Sequence, residues 1–280
     1  MAQQVLQPAL RGSMLDWWKE ISRQLQEVMM TSYKNFTPQT ASIDIRRAQD
    51  RFHTRIDWLD SNHSFSFGGH YDPLNTHHGL LLVSNDDVVQ PGMGFMTHPH
   101  RDMEIVTWVL NGELEHKDSE GNSGLLYPGL AQRMSAGTGI WHSEMNPHHD
   151  EAVHFIQMWV PPDTERVMPG YEQLDINAQL DRGGLVPIAS GRGHDAAIAI
   201  RQKGAVLWGG RLKPGESVLI PDAPFVHVFI AKGSAELENE GRLNTGDAAR
   251  LTAAGARRFT ADSQIGAEVL VWETAQNFVF

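Results

Sequence analysis

Residues 94–104 read Gly-Phe-Met-Thr-His-Pro-His-Arg-Asp-Met-Glu, and this stretch carries the pattern that decides the fold. His98 and His100 are two residues apart, so an extended strand places both imidazoles on the same face. Pro99 lies between them and fixes its own φ, which stiffens the pair. A strand here therefore presents two nitrogen ligands to one point.

A second pair of ligand-type residues lies in residues 135–146, which read Ser-Ala-Gly-Thr-Gly-Ile-Trp-His-Ser-Glu-Met-Asn. His142 and Glu144 repeat the two-residue spacing, and Gly137 and Gly139 permit a tight turn before them. If the two strands lie side by side in one barrel, the four donors converge. Three imidazoles and one carboxylate suit a divalent transition metal with positions left open for water or substrate. The predicted metal ligands are His98, His100, His142 and Glu144.

Glu104 is a further carboxylate close to this set. It lies an even number of residues after His100, so its side chain can face the same interior. Three roles stay open for it: a fifth ligand, a hydrogen-bond acceptor behind a ligand, or a proton acceptor. Glu144 and Glu104 are therefore the two candidate catalytic residues.

Composition excludes several classes of protein. The net charge of −11 disfavours direct binding to nucleic acid, which needs clustered Lys and Arg, but leaves protein partners open. The absence of Cys excludes thiolate metal sites and disulfides and is compatible with a reducing cytosol, so we expect a cytoplasmic protein. No apolar run of about 18 residues occurs, so no transmembrane helix is expected. The first ten residues lack the pattern of a secretory signal.

Two series of short β-type runs, separated by turn clusters, predict an all-β protein. The first occupies residues 43–165 and includes Asn111-Gly112, a strong hairpin signal. The second occupies residues 194–280 in a similar order, which indicates an internal duplication into two barrels. Residues 166–193 lack clear periodicity and are predicted to link them. All but two of the 14 His lie in the first series, whereas His227 stands alone in an apolar run and is predicted to be a core residue.

Residues 1–42 differ from the rest of the chain. Between residues 14 and 30, apolar side chains recur at helical spacing with charged residues opposite them. This predicts a short amphipathic helix, docked on its own barrel or on a neighbouring subunit. The polar face is not strongly basic, which makes a membrane-surface helix the weaker alternative.

Several motifs together resemble known families. The pattern that combines Gly94, His98-x-His100, Glu104, Asn111-Gly112, Gly139, His142 and Asn146 resembles the two motifs of cupins. More narrowly, five stretches resemble the pirin family: Trp-Leu-Asp-Ser-Asn-His-Ser-Phe-Ser-Phe at 58–67, Tyr-Asp-Pro at 71–73, Asn-Asp-Asp at 85–87, and residues 97–104 and 135–144. The resemblance covers roughly residues 43–280 and leaves residues 1–42 outside the family pattern.

The resemblance implies two double-stranded β-helix (cupin) barrels packed together, with a metal in the N-terminal barrel and none in the C-terminal one. The family's ligands match His98, His100, His142 and Glu144. Bacterial members of this type resemble quercetin 2,3-dioxygenases, which open a flavonol ring with O2 and release CO. This implies a small aromatic, flavonol-like substrate, with Fe(II) as the foremost metal.

The same residues are compatible with other metals and with other functions. The donor set is compatible with Mn, Co, Ni, Cu or Zn as well as with iron. The pirin family also includes regulators, so a non-enzymatic metal- or redox-sensing protein that binds a transcription factor or a metabolic enzyme is the rival hypothesis. A metal-free binder of small molecules is a third.

Overall fold

The computed structural model describes residues 40–195 and 197–279. The amphipathic helix predicted between residues 14 and 30 lies outside these residues. Within them the chain is almost entirely β-structure, which confirms the predicted all-β class. No helix in the described ranges is long and apolar enough to cross a membrane.

The first half of the chain contributes twelve strands and one short 3-10 turn. The turn spans Ala48–Asp50. The strands are β1 (Ser42–Arg46), β2 (Phe52–Arg55), β3 (Leu59–His63), β4 (Val83–Val89), β5 (Gly94–His100), β6 (Glu104–Asn111), β7 (Leu114–Asp118), β8 (Ser123–Leu126), β9 (Leu130–Ser135), β10 (Ile140–Met145), β11 (Val153–Val160) and β12 (Gly170–Asp175).

The second half begins with a helix of one turn, α1 (Asn177–Leu180). Its strands are β13 (Val186–Ser190), β14 (Ile198–Ala199), β15 (Ala205–Leu212), β16 (Ser217–Ile220), β17 (Phe225–Leu237), β18 (Gly241–Asn244), β19 (Ala248–Thr252), β20 (Arg257–Ala261) and β21 (Ala267–Thr274).

The strands form two barrel-like units. In the first, a seven-stranded sheet in the order β12-β9-β6-β11-β4-β3-β2 is combined with a four-stranded sheet in the order β5-β10-β7-β8. The second unit is a sheet with the central order β1-β19-β17-β21-β15-β13-β14, from which β16, β18 and β20 branch through β17 and β20. The four-stranded sheet carries both predicted ligand pairs, and β5 pairs directly with β10.

The division of the chain into a first barrel (43–165), a linker (166–193) and a second barrel (194–280) stays a prediction. The strand pairing shows how these three segments are connected. β1 comes first in the chain but pairs with β19 of the second unit. The predicted linker contains β12, which pairs with β9, and β13, which pairs with β15. The predicted linker is therefore part of both units, because its backbone groups form hydrogen bonds with strands of each unit.

The Asn111-Gly112 turn does not close a hairpin, contrary to the prediction. β6 pairs with β9 and β11, whereas β7 pairs with β8 and β10, so the turn passes from one sheet to the other. Gly112 has a φ of 76°, a conformation that favours glycine. Asn111-Gly112 therefore forms a turn, as predicted, but the turn lies at a corner of the barrel where the chain changes sheets.

The two units share a hydrophobic core. Trp108 of the first unit and Trp272 of the second lie in one cluster of buried side chains, together with Phe229. Trp108 Nε1 also donates a 2.9 Å hydrogen bond to Glu268 across the interface. Burial of large aromatic side chains is a major stabilising contribution, so the packing confirms the predicted paired barrels.

Candidate metal centre

Three of the predicted ligands converge. β5 and β10 run antiparallel, with His142 opposite His98 and Ile140 opposite His100. The ring centroids lie 4.3 Å apart for His98 and His142, 5.0 Å for His98 and His100, and 4.9 Å for His100 and His142. One ligand atom from each histidine lies within 4.8 Å of the others, and no other group of this kind occurs among the described residues.

The histidine cluster has the chemistry that a divalent cation needs. Burial lowers the pKa of His98 to about 4 and that of His100 and His142 well below the usual value, so the rings are neutral near pH 7. His98 Nδ1 donates to the carbonyl of Met96 at 2.7 Å, which assigns the lone pair to Nε2. His142 Nε2 is buried and has no hydrogen-bond partner in the described part of the chain. The residues therefore fit a metal ion.

Glu144 lies on the same strand as His142 but is held differently. The β5–β10 register shifts between His142 and Glu144. The Glu144 carboxylate accepts hydrogen bonds from Gln157 Nε2 at 2.7 Å and from Thr107 Oγ1 at 3.4 Å. Burial raises its pKa to about 7. The cluster of converging ligand atoms comprises the histidines alone, so Glu144 as a fourth ligand stays a prediction.

Glu104 has a different environment. Its Oε2 accepts hydrogen bonds from Ser135 Oγ at 2.8 Å and from the backbone N–H of Arg201 at 3.0 Å. Burial raises the pKa of this carboxyl, and the donors oppose the rise. Arg201 belongs to the second unit, so this hydrogen bond connects Glu104 to that unit. Glu104 is not among the residues that line the pocket beside the histidines. Its predicted catalytic role has no support from these contacts.

A small pocket opens beside the cluster. Its free space is about 20 Å³, which is room for roughly one water molecule. His98 and Glu144 contribute to its wall. The complete lining is Thr54, Leu59, Ser61, His63, Phe67, Asn85, Asp87, Phe95, His98, Glu144 and Gln157.

The wall from β3 and β4 is a connected polar network. Asp87 is buried and accepts a short hydrogen bond from Ser61 Oγ. His63 Nδ1 lies 2.9 Å from Asn85 Oδ1, and its Nε2 lies 3.0 Å from Thr54 Oγ1. Burial raises the pKa of Asp87 to about 8 and lowers that of His63 to about 4. Both groups are therefore largely neutral near pH 7.

The sequence did not assign roles to this wall. Residues 58–67 and 85–87 carried the family resemblance, but nothing in their spacing selected Asp87 or Ser61. Two aromatic side chains, Phe67 and Phe95, line the pocket, whereas Trp141, next to His142 in the sequence, is 49% exposed. Gln157 and Thr107 were also missed, because they come from strands distant in sequence.

The fold and the histidine cluster define the class of protein as a two-barrel cupin. The family described as Pirin matches residues 45–160, and the Quercetinase C-terminal cupin domain matches residues 187–274. A "Putative quercetin 2,3-dioxygenase" of Mycobacterium tuberculosis is 59% identical over 235 residues, which cover 84% of this chain and 96% of that protein. The chain belongs to the pirin family.

A further relative and a solved structure come from Escherichia coli. A quercetin 2,3-dioxygenase of strain K12 is 38% identical over 232 residues, covering 82% of this chain and 98% of that protein. The crystal structure of the bacterial pirin YhhW in complex with nickel(II) superposes with a TM-score of 0.77 at 36% identity, covering 85% of this chain and all of that one. These similarities agree with the two-barrel fold described above.

Proposed function

We propose that this protein is a metal-dependent oxygenase of the quercetin 2,3-dioxygenase type, which opens the ring of a flavonol with O2 and releases CO. The observation that carries the proposal is the cluster of three buried, neutral histidines next to a pocket that also contains Glu144. The names of the relatives from M. tuberculosis and E. coli support the same chemistry.

His98, His100 and His142 would hold one divalent metal, and Glu144 would complete the donor set. Fe(II) is the first choice, while Mn, Co, Ni, Cu and Zn are compatible with such ligands. The nickel(II) complex of YhhW supports a divalent ion in this family. When bound, the metal would act as a Lewis acid that lowers the pKa of the flavonol 3-hydroxyl.

Glu144 is the residue to which we assign the proton of that hydroxyl. Its carboxyl lines the pocket, and its ionised form can accept a proton from a hydroxyl bound there. Gln157 fixes its orientation through the 2.7 Å hydrogen bond. Glu104 is not proposed for this step, because its hydrogen bonds engage Ser135 and Arg201.

The pocket walls would orient the substrate and exclude water. Phe67 and Phe95 offer aromatic surfaces, while Ser61 and Asn85 offer partners for phenolic hydroxyls. The space of about 20 Å³ holds roughly one water molecule, so a flavonol would bind if lining side chains such as the half-buried Phe67 and Phe95 moved aside.

The test uses purified full-length protein loaded with one metal at a time. Fe(II)-loaded protein is expected to consume quercetin and O2 together and to release CO. His142→Ala is expected to lose this turnover and the metal, whereas His149→Ala, an exposed histidine seven residues away, retains both. Metal binding without O2-dependent loss of quercetin, beside an active control enzyme, would contradict the oxygenase and favour the regulator.

A further inference from the structure

His142 is contacted from behind by a second histidine. His116 and Asp118 lie on β7, which pairs antiparallel with β10 so that Asp118 is opposite His142. His116 Nε2 lies 3.2 Å from Asp118 Oδ2, and His116 Nδ1 lies 3.5 Å from His142 Nδ1. The side chains of His116 and Asp118 are both 0% exposed. The side chains of Asp118, His116 and His142 form one buried series of contacts that ends at the histidine cluster.

Asp118 is fixed at the start of this series by the turn that follows β7. Its Oδ1 accepts hydrogen bonds from the backbone N–H groups of Glu120 at 3.0 Å and Asn122 at 2.9 Å. The Asn122 amide also donates to Oδ2 at 3.0 Å. Asp118 is thus an acceptor whose position and direction are set by the backbone.

The direction of each hydrogen bond follows from Asp118. A carboxylate only accepts, so the proton between it and His116 belongs to His116 Nε2. In neutral imidazole the other nitrogen then carries the lone pair, so His116 Nδ1 must accept from His142 Nδ1. His142 in turn has its lone pair on Nε2, the buried atom without a partner in the described residues.

We propose that His116, anchored by Asp118, is a positioning residue that holds His142 in the Nδ1–H tautomer with Nε2 directed at the metal. The inference rests on the metal site of the proposed function. Tyr171 of β12 stacks on the His116 ring, with centroids 4.8 Å apart and an interplanar angle of 28°, which limits rotation of that ring. Groups that orient ligand histidines in this way commonly contribute 10–100-fold to metal affinity.

Tautomers can be read directly in the metal-free full-length protein by long-range 1H–15N NMR. His142 is expected as the Nδ1–H form and His116 as the Nε2–H form, with both signals assigned by their loss in His116→Gln and His142→Gln. Observation of His142 as the Nε2–H form would overturn the proposal. Because no metal is present, this reading stands independently of the proposed oxygenase activity.

Asp118→Asn provides a second test with little change in shape. The backbone donors of Glu120 and Asn122 hold the amide oxygen at the Oδ1 position, where the Asn122 side chain can also donate to it at 3.2 Å, so the amide nitrogen faces His116. His116 Nε2 must then accept, and its proton moves to Nδ1, which forces the His142 proton onto Nε2. We expect the NMR signals of both rings to exchange pattern, and the Ni(II) affinity measured by calorimetry to fall about 10–100-fold.

Lys117→Gln is the matched control, since Lys117 lies between the two residues but its side chain is 60% exposed. It is expected to keep the wild-type tautomers and Ni(II) affinity within twofold. If Asp118→Asn folds with the wild-type circular dichroism spectrum and shows the same affinity and tautomers as Lys117→Gln, the proposal fails.

Discussion

A β-carbon at Gly94 would stand 2.3 Å from the backbone carbonyl oxygen of Glu144 and 2.7 Å from Met145 Cα. Gly94 begins β5, and Glu144 lies on β10, its pairing partner. Both close contacts involve backbone, which cannot turn aside as a side chain could. The missing side chain at Gly94 therefore sets the separation of the two strands that carry the three histidines.

Gly94→Ala is expected to push β5 away from β10 and to weaken metal binding about tenfold or more. Overpacking of this kind also costs about 1–3 kcal/mol of stability. Metal titration and thermal unfolding measure the two effects. Gly69→Ala is the control, because a β-carbon there meets nothing within 4 Å. Equal metal affinity in the two variants would show that the strand separation does not govern the site.

Removal of the hydrogen bond from Gln157 to Glu144 is expected to alter the pH dependence of turnover. The bond stabilises the ionised carboxylate, so Gln157→Leu raises the pKa of Glu144. If Glu144 accepts the proton, the acid limb of the kcat/KM profile moves to higher pH. Thr107→Val removes the longer 3.4 Å bond and should cause a smaller shift. An unmoved acid limb in Gln157→Leu would remove Glu144 from the proton-accepting role.

Buried carboxyls give the metal-free protein a pH-dependent stability. Burial raises the pKa of Asp87 to about 8 and that of Glu144 to about 7. When the pH is above the ordinary pKa of a carboxyl, each group therefore binds more protons in the folded state than in the unfolded state. This contribution is lost as pH rises through the folded pKa. Buried histidines act in the opposite sense, because burial lowers their pKa from 6.5 and the unfolded chain then binds more protons than the folded chain below and around that value. They are His63, His77, His78, His98, His100, His116, His142 and His227.

The unfolded histidines lose most of their bound protons within about one pH unit above 6.5, so the midpoint of thermal unfolding should fall as pH rises from about 7.5 to about 9, across the folded pKa of Asp87. Asp87→Asn should make this decline shallower, since the amide does not titrate and its oxygen can still accept from Ser61. Circular dichroism melts of metal-free protein at several pH values measure the slope. Asp150→Asn, at an exposed position, should retain the wild-type slope. A steep decline that persists in Asp87→Asn would contradict the assignment.

The sequence predicted the centre of the site well because the information is local. His98 and His100 share a strand, and the alternation of side chains along a strand fixes their common face. The pairing of His142 with His98 needed only the assumption that the two strands are neighbours, which the structure confirms. The paired-barrel class likewise followed from the repeated strand pattern together with the family motifs.

Other features depend on tertiary neighbours that spacing cannot reveal. Glu104 lies an even number of residues after His100 and could therefore face the histidines, yet its carboxylate accepts hydrogen bonds from Ser135 and Arg201 instead. Gln157 reaches Glu144 from a strand in the other sheet of the barrel. The Asn111-Gly112 turn was recognised, but whether the chain turns back or changes sheets is decided by packing of the whole barrel.

Arg250 of the second unit links the two barrels through buried hydrogen bonds. It donates to the carbonyl oxygen of Ser64 and to Asn75 Oδ1, both at 2.7 Å, and its guanidinium lies 4.4 Å from the centroid of the Phe65 ring. Burial lowers its pKa only to about 10, so the side chain stays charged near pH 7. A charged donor buried in this way is costly to remove, because its acceptors lose their partner.

Arg250→Met is expected to lower the free energy of unfolding by about 2–4 kcal/mol while leaving Ni(II) affinity within twofold of wild type, since neither hydrogen bond is made to a histidine of the cluster. Urea unfolding followed by tryptophan fluorescence and circular dichroism gives the free energy. Because the shared core joins the two units, we expect coincident transitions from both probes. Arg258→Met, at an exposed position on β20, should change stability by less than about 0.5 kcal/mol. Equal stability of the two variants would show that Arg250 does not hold the barrels together, and two separate transitions would show that each barrel folds on its own.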